Sequence, residues 1–213
     1  MKFEDLLFFA NAVQFAAAVI AIVTFKKYRA SNEKYFLFFL WYTLLVETVG
    51  LILGEFYDVD NSWLYNGFMV TMFLFYYFWY YKILKSKLFC RFVRLFAIVF
   101  SIVAVASFVF QESQGYHKYT FLTGAFFILI LTVFHFYQLL NDDQVLVVKY
   151  KLSFWISTGL LLFSVGMIPL FSLSEYLDFH DTAYILTVVS LNVILYGCYI
   201  IGFLWTKKNY NHF

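Results

Sequence analysis

Seven long apolar runs, parted by short gaps that hold nearly all the charge, decide what this chain can fold into. They cover approximately residues 6–25, 35–54, 63–81, 90–110, 119–140, 152–173 and 183–206. Each is close to the roughly 20 residues that a helix needs to cross about 30 Å of hydrocarbon. A helix satisfies its backbone polar groups internally, which is what allows it to lie in lipid. The runs are continuous rather than alternating, so a transmembrane β-barrel does not fit them. Charged residues make up 13% of the chain, about half of the roughly 25% that a water-facing globule carries. The expected fold is therefore all-α: residues 1–213 form one polytopic membrane domain, a bundle of seven transmembrane helices. The gaps leave no room for a soluble domain. A net charge of +2 is too small for a nucleic-acid-binding face. Two cysteines make no disulfide framework.

Lysine and arginine set the expected orientation. Lys26, Lys27, Arg29, Lys34, Lys82, Lys85, Lys87, Arg91, Arg94, Lys149, Lys151, Lys207 and Lys208 fall at one side, leaving only Lys2 and Lys118 opposite. The opposite side carries Glu4, Asp5, Glu55, Asp58, Asp60, Glu112, Glu175, Asp178 and Asp181. The N-terminus is expected outside and the C-terminus in the cytoplasm. The leader before the first run is acidic and its basic cluster follows the run, the reverse of a secretory signal. That run is expected to stay as a membrane helix.

Parts of the chain echo one another. Lys34 to Phe39 resembles Lys149 to Phe154, and Tyr65, Tyr77 and Tyr80 align with Tyr184, Tyr196 and Tyr199 at one offset. Two three-helix units joined by the fourth helix would give this 3+1+3 pattern. Chance matches within an aromatic-rich alphabet would give it as well. The run Phe75 to Tyr81 reads as aromatics facing lipid, and the tryptophans as interface residues near span ends.

Polar residues inside a span are costly, and each is a candidate for function. Glu47 is the only formally charged residue deep in a run, roughly 10 Å below the outer end of the second helix at 1.5 Å per residue. Thr43, Glu47, Gly50 and Gly54 recur at helical spacing. Asn11 and Gln14 lie on a similar face of the first helix with Ala10, Ala17, Ala18 and Ala21; Asn192 and Tyr196 share a face of the last. In a sequential ring, helices 1, 2 and 7 are neighbours. Asn11, Gln14, Glu47, Asn192 and Tyr196 are therefore the candidate ligand- or ion-binding group. Glu47 has no basic partner at its depth, so the neutral form is the less costly one. It serves either as hydrogen-bonding glue between helices or as a proton, cation or ligand site. His135, with Ser153 and Ser157 at a similar depth, is a secondary candidate, and simple packing accounts for it too. Pro169 and Gly166 mark the outer part of the sixth run, and Gly159 and Gly166 permit close helix contact.

Several chemistries are not expected. The last run has no lysine for a retinal Schiff base, and only one histidine is intramembrane, so neither a metal site nor a hydrolytic triad assembles. No cofactor and no enzymatic activity are expected. In architecture the chain resembles the seven-helix sensor modules that precede the kinase domain of some bacterial histidine kinases. That resemblance implies a bacterial inner-membrane sensor with an outward-accessible intramembrane site. Only a short tail follows Trp205, so the signal is expected to pass to a separate cytoplasmic or membrane partner at the basic inner loops, where anionic lipid is also expected to gather. Two alternatives stay open: a small proton-coupled transporter using Glu47, and an oligomeric channel or structural subunit. Self-association fits any of the three.

Overall fold

A computed structural model describes residues 3–57, 59–110, 115–141, 145–173, 176 and 181–210. Lys2, Asp58, Glu112, Glu175, Asp178, His180 and His212 lie outside the described residues, as do the side chains of Glu4, Asp5 and Glu55. The chain is all-helical among the described residues. Seven α-helices run α1 Phe3–Thr24, α2 Lys34–Tyr57, α3 Ser62–Ile83, α4 Lys87–Phe110, α5 Lys118–Leu140, α6 Leu152–Ser172 and α7 Thr182–Trp205. Short 3-10 turns follow α1, precede α6 and follow α7.

Six of the seven are long and apolar enough to cross a membrane: all except α3. All seven expected spans are helices, and α3 is the one less apolar than the rest. α3 has the length, 22 residues, but its tyrosines and Asn66 dilute its hydropathy. Those polar groups face inward: Asn66, Tyr76, Tyr77 and Tyr80 are buried, and so is Trp79. The aromatic run that reads as lipid-facing is largely core instead. Trp41, Trp63 and Trp205 are exposed, whereas Trp79 is not an interface residue at all.

The packing order departs from a sequential ring. α3 packs on α2, α4 and α5, and α4 packs on α3 and α5. The ring is α1–α2–α3–α5–α6–α7, closed by α7 on α1, with α4 outside it. The outer position of α4 fits its surface, since Ile98, Ile102, Val105 and Val109 form an exposed apolar stripe that suits lipid.

Small residues make the tight seams. Ala17, Ala18 and Ala21 of α1 are fully buried, and α1 packs closely on α7. A Cβ added at Gly159 would sit 3.1 Å from the Leu195 carbonyl oxygen and 3.1 Å from Cys198 Cβ, and one at Gly202 would lie 2.7 Å from Trp155 Cβ. Gly166 lies under Leu191 in the same way. The close-contact reading of Gly159 and Gly166 therefore holds. Thr48, Thr187 and Ser190 face outward yet bond the carbonyl one turn back in their own helices, which removes the cost of a bare hydroxyl in lipid.

Successive helices alternate in direction, so the loops collect at two ends. One end, here the basic end, holds residues 25–33, 84–86, 141, 145–151 and 206–210. The other, the acidic end, holds residues 59–61, 115–117, 173, 176 and 181. At the acidic end Asn66 reaches out of α3, donating from Nδ2 to the Gly115 carbonyl (2.8 Å) and accepting from the His117 N–H (3.0 Å). This clasp fixes the entry to α5.

Candidate ligand site

A cavity of about 190 Å³ opens inside the bundle between α2, α3, α5, α6 and α7. Its position follows from α3. Gly124 of α5 lets the Phe73 ring lie against its backbone, which brings α3 and α5 together and leaves space beside α2. Phe39, Phe68, Phe73, Phe121, Phe163 and Phe171 supply much of the wall, with Met69 and Met72. The polar lining is Thr43, Glu47, Tyr65, Tyr76, Tyr116, Ser164, Asn192 and Tyr196. Tyr116 is 57% exposed and marks the mouth toward the acidic end.

Glu47 is held at this mouth by one contact. The Tyr65 hydroxyl donates to Glu47 Oε2 at 3.3 Å. Gly50, one turn further along α2, makes the contact possible, because a Cβ there would run into the Tyr65 phenol. Asn61 Nδ2 also donates to the Gly50 carbonyl at 2.9 Å, so the α2–α3 turn is tied down beside the carboxyl. Thr43 bonds its own helix at Phe39 O, and Asn192 Nδ2 donates to Val188 O.

The five grouped candidates divide. Glu47, Asn192 and Tyr196 line one cavity. Asn11 and Gln14 do not line it, and the expected hydrogen-bonded cluster across helices 1, 2 and 7 is not formed among the described residues. Glu47 bonds Tyr65, Asn192 bonds its own backbone, and Gln14 Nε2 is buried without a partner. The physical reason is which neighbour reaches the carboxyl. α2 lies between α1 and α3, as in a sequential ring, but it is Tyr65 of α3, not a side chain of α1 or α7, that reaches it.

The chain matches no family model, no curated protein and no solved structure. The site therefore stands on its own geometry.

His135 is fully buried on α5, with Nδ1 2.8 Å from Ser157 Oγ. The Ser157 pairing matches the sequence expectation, whereas Ser153 Oγ has no partner. Among the described residues no group of three or more His, Cys, Asp or Glu gathers to hold a metal ion. Cys90 and Cys198 are free thiols.

Sequence reasoning missed Glu33, which reads as one acid among the lysines of a loop. It is fully buried, and neither carboxyl oxygen has a hydrogen-bond partner. The nearby Ser31 hydroxyl donates to Tyr28 O instead, at 2.8 Å. Burial pushes the Glu33 carboxyl above the usual carboxylate range. A signal was present. Glu33, Phe36, Leu40, Thr43 and Glu47 follow helical spacing on one face of α2, and the first four are buried.

At the basic end a second, open cleft of about 570 Å³ lies between the α1 and α7 ends and the 145–150 turn. Lys27, Lys149, Lys207 and Lys208 line it with Tyr150 and Trp205. Lys27 Nζ donates to the Leu204 carbonyl (2.9 Å), and the Lys207 ammonium sits 4.0 Å from the centre of the Tyr150 ring.

Proposed function

We propose that this multi-pass membrane protein takes a compact organic molecule bearing an amine into the α2–α3–α5–α6–α7 cavity, and that it acts as a sensor. The observation that carries the reading is the pairing of one carboxyl, Glu47, with walls that are otherwise mostly aromatic. A carboxylate and aromatic faces attract the same ligand class, since a cation gains from both. The volume is below the roughly 300–1,000 Å³ of pockets for drug-sized ligands, so the ligand is small. With the acidic end outside, as the lysine and arginine distribution supports, entry is from the exterior past Tyr116.

The sensor reading is favoured over a carrier by what lies beneath the cavity. Tyr76, Trp79, Tyr80 and Tyr199 are all buried in one aromatic layer, which closes the path for an organic molecule toward the basic end. Ligand state would then pass to a separate partner at the basic loops, with the lysine-lined cleft as the contact for that partner or for anionic lipid. A bacterial cytoplasmic membrane is the setting that the sensor resemblance supports.

The test is thermal stabilisation of protein in lipid nanodiscs by a set of compact aromatic amines, with neutral and carboxylate isosteres as controls. Amines should raise the melting temperature, their isosteres should not, and Glu47→Gln should remove most of the rise. Equal stabilisation by neutral isosteres would overturn the assignment of an amine.

A further inference from the structure

Beneath the cavity, buried polar side chains form two hydrogen-bonded groups that the ligand reading does not use. The hydroxyls of Tyr76 and Tyr199 lie 3.4 Å apart. One turn along α3, the Tyr80 hydroxyl is 2.6 Å from Thr132 Oγ1 and 3.2 Å from Ser157 Oγ. Ser157 Oγ is in turn 2.8 Å from His135 Nδ1. All of these residues are buried.

The second ends among side chains whose bonding is unfinished. His135 Nε2, Ser153 Oγ, the Trp79 indole N–H and both Glu33 oxygens are buried without partners. These belong to one layer of the bundle. Trp79 lies between Phe36, at 4.9 Å, and His135, at 6.2 Å, measured between ring centres. Phe36 is one turn from Glu33 on the same face of α2, and Ser153 is one turn from Ser157 on α6. A buried donor or acceptor left without a partner is costly. Donors and acceptors left bare in one layer are the usual setting for bridging water.

Packing alone accounts for the closed hydrogen bonds. It does not account for a buried acid at the far end of the stripe that begins with Glu47. Glu33 and Glu47 stand at opposite ends of one interior face, about 20 Å apart at 1.5 Å per residue, with the two groups between them.

We propose that the two groups, one turn of α3 apart and bridged by water between the Tyr76–Tyr199 pair and Tyr80, form a proton path linking the Glu47 cavity to the basic end through Tyr76, Tyr199, Tyr80, Ser157 and His135 and ending on Glu33. Every link is a group that can accept one proton while releasing another. A proton held by Glu47 crosses the cavity on water and reaches the Tyr76–Tyr199 pair; the cavity has room for several waters at about 30 Å³ each. Each hydroxyl then takes up one proton and passes on its own, so only O–H and N–H bonds form and break. His135 accepts at Nδ1 from Ser157 and releases from Nε2. Bridging water carries that proton to one oxygen of the Glu33 carboxyl, which gives up its own proton from the other toward the basic end, and as the hydroxyls rotate back water returns the His135 proton from Nδ1 to Nε2. The aromatic layer that stops an organic molecule is thus the part that passes a proton.

The test uses the full chain in liposomes loaded with a pH-sensitive dye, with a potassium diffusion potential set by valinomycin. Wild-type vesicles should take up protons well above protein-free vesicles, with no added ligand. Tyr80→Phe keeps the ring and removes one hydroxyl, and Glu33→Gln removes the terminal acceptor. Each should lower the flux at least tenfold at matched insertion. Tyr81→Phe, an exposed tyrosine outside the path, should leave it unchanged. Should Glu33→Gln fail to fold, Tyr80→Phe and Ser157→Ala decide the matter. Wild-type flux no greater than the protein-free control would overturn the proposal, as would full flux in Tyr80→Phe. Amine stabilisation retained in Tyr80→Phe separates a failure of this path from a failure of the ligand site.

Discussion

The seam between α6 and α7 and the seam between α2 and α3 solve the same packing problem in opposite ways. α6 and α7 meet through glycines, with Gly159 against the Leu195 carbonyl, Gly166 under Leu191 and Gly202 against Trp155. That seam is close, and at Gly159 a backbone carbonyl closes it. α2 and α3 meet through large rings and a few polar contacts: Phe39 stacks on Phe75 at 4.3 Å, Tyr42 bonds Thr71, and Tyr65 bonds Glu47. Rings cannot interdigitate as closely as glycine and leucine, so space remains on the inner side of this seam, where the cavity opens toward α5, α6 and α7. The difference teaches where a ligand can act. One side of the bundle is a fixed wall, and the other is a seam whose side chains can turn.

Breaking the fixed wall should have the largest effect. Gly159→Leu would drive a side chain into the Leu195 carbonyl, a backbone group that cannot step aside. The expected loss is about 3 kcal/mol or more of stability, read as a sharp fall in melting temperature or in recovered monodisperse protein. A variant as stable as wild type would mean that the α6–α7 seam is looser than described.

The α2–α3 seam should respond more gently and in a way that depends on chemistry. Glu47→Leu leaves the Tyr65 hydroxyl without its acceptor and should cost about 1–2 kcal/mol. Glu47→Gln keeps an acceptor in the same shape and should cost little, while still weakening amine binding. If Gln destabilises as much as Leu, the carboxyl makes a charged contact beyond Tyr65. Should neither affect stability, Glu47 contributes nothing to the seam.

Much of the fold was legible from the apolar runs. Their lengths gave all seven helices because hydrocarbon thickness fixes helix length, and the glycines of α6 pointed to close contact. The order of packing was not legible. Nothing in the spacing of α3 says that it lies inside α4, because that depends on Phe73 fitting against Gly124 and on Asn66 clasping residues 115–117. Glu47, Asn192 and Tyr196 could be read as one site since each breaks an apolar face. Asn11 and Gln14 break a face too, yet α3 rather than α1 supplies the partner for Glu47. Glu33 was hidden by the basic stretch it sits in, with Lys26, Lys27, Arg29 and Lys34 around it, although its neighbours in space bury it.

The smallest effect is expected at the acidic-end clasp. His117 is covered by its immediate neighbours, the Phe108 ring among them, yet lies near the surface. Burial holds its imidazole below the usual range. A depressed histidine contributes stability above its unfolded value of about 6.5, which is lost as pH falls through the folded value. Melting temperature should therefore drop slightly below about pH 6, and His117→Asn should flatten that part of the profile. An unchanged profile in His117→Asn would assign the effect to another group.

The central claim is that the loose α2–α3 seam holds a small cationic ligand against Glu47. The most direct measurement is an experimental density map of the protein in lipid nanodiscs equilibrated with the best-stabilising amine. Compact density is expected between Glu47, Tyr65 and Asn192, with the α6–α7 seam unchanged. A cavity filled by a lipid chain, with the Glu47 carboxyl turned away from it, would contradict the account.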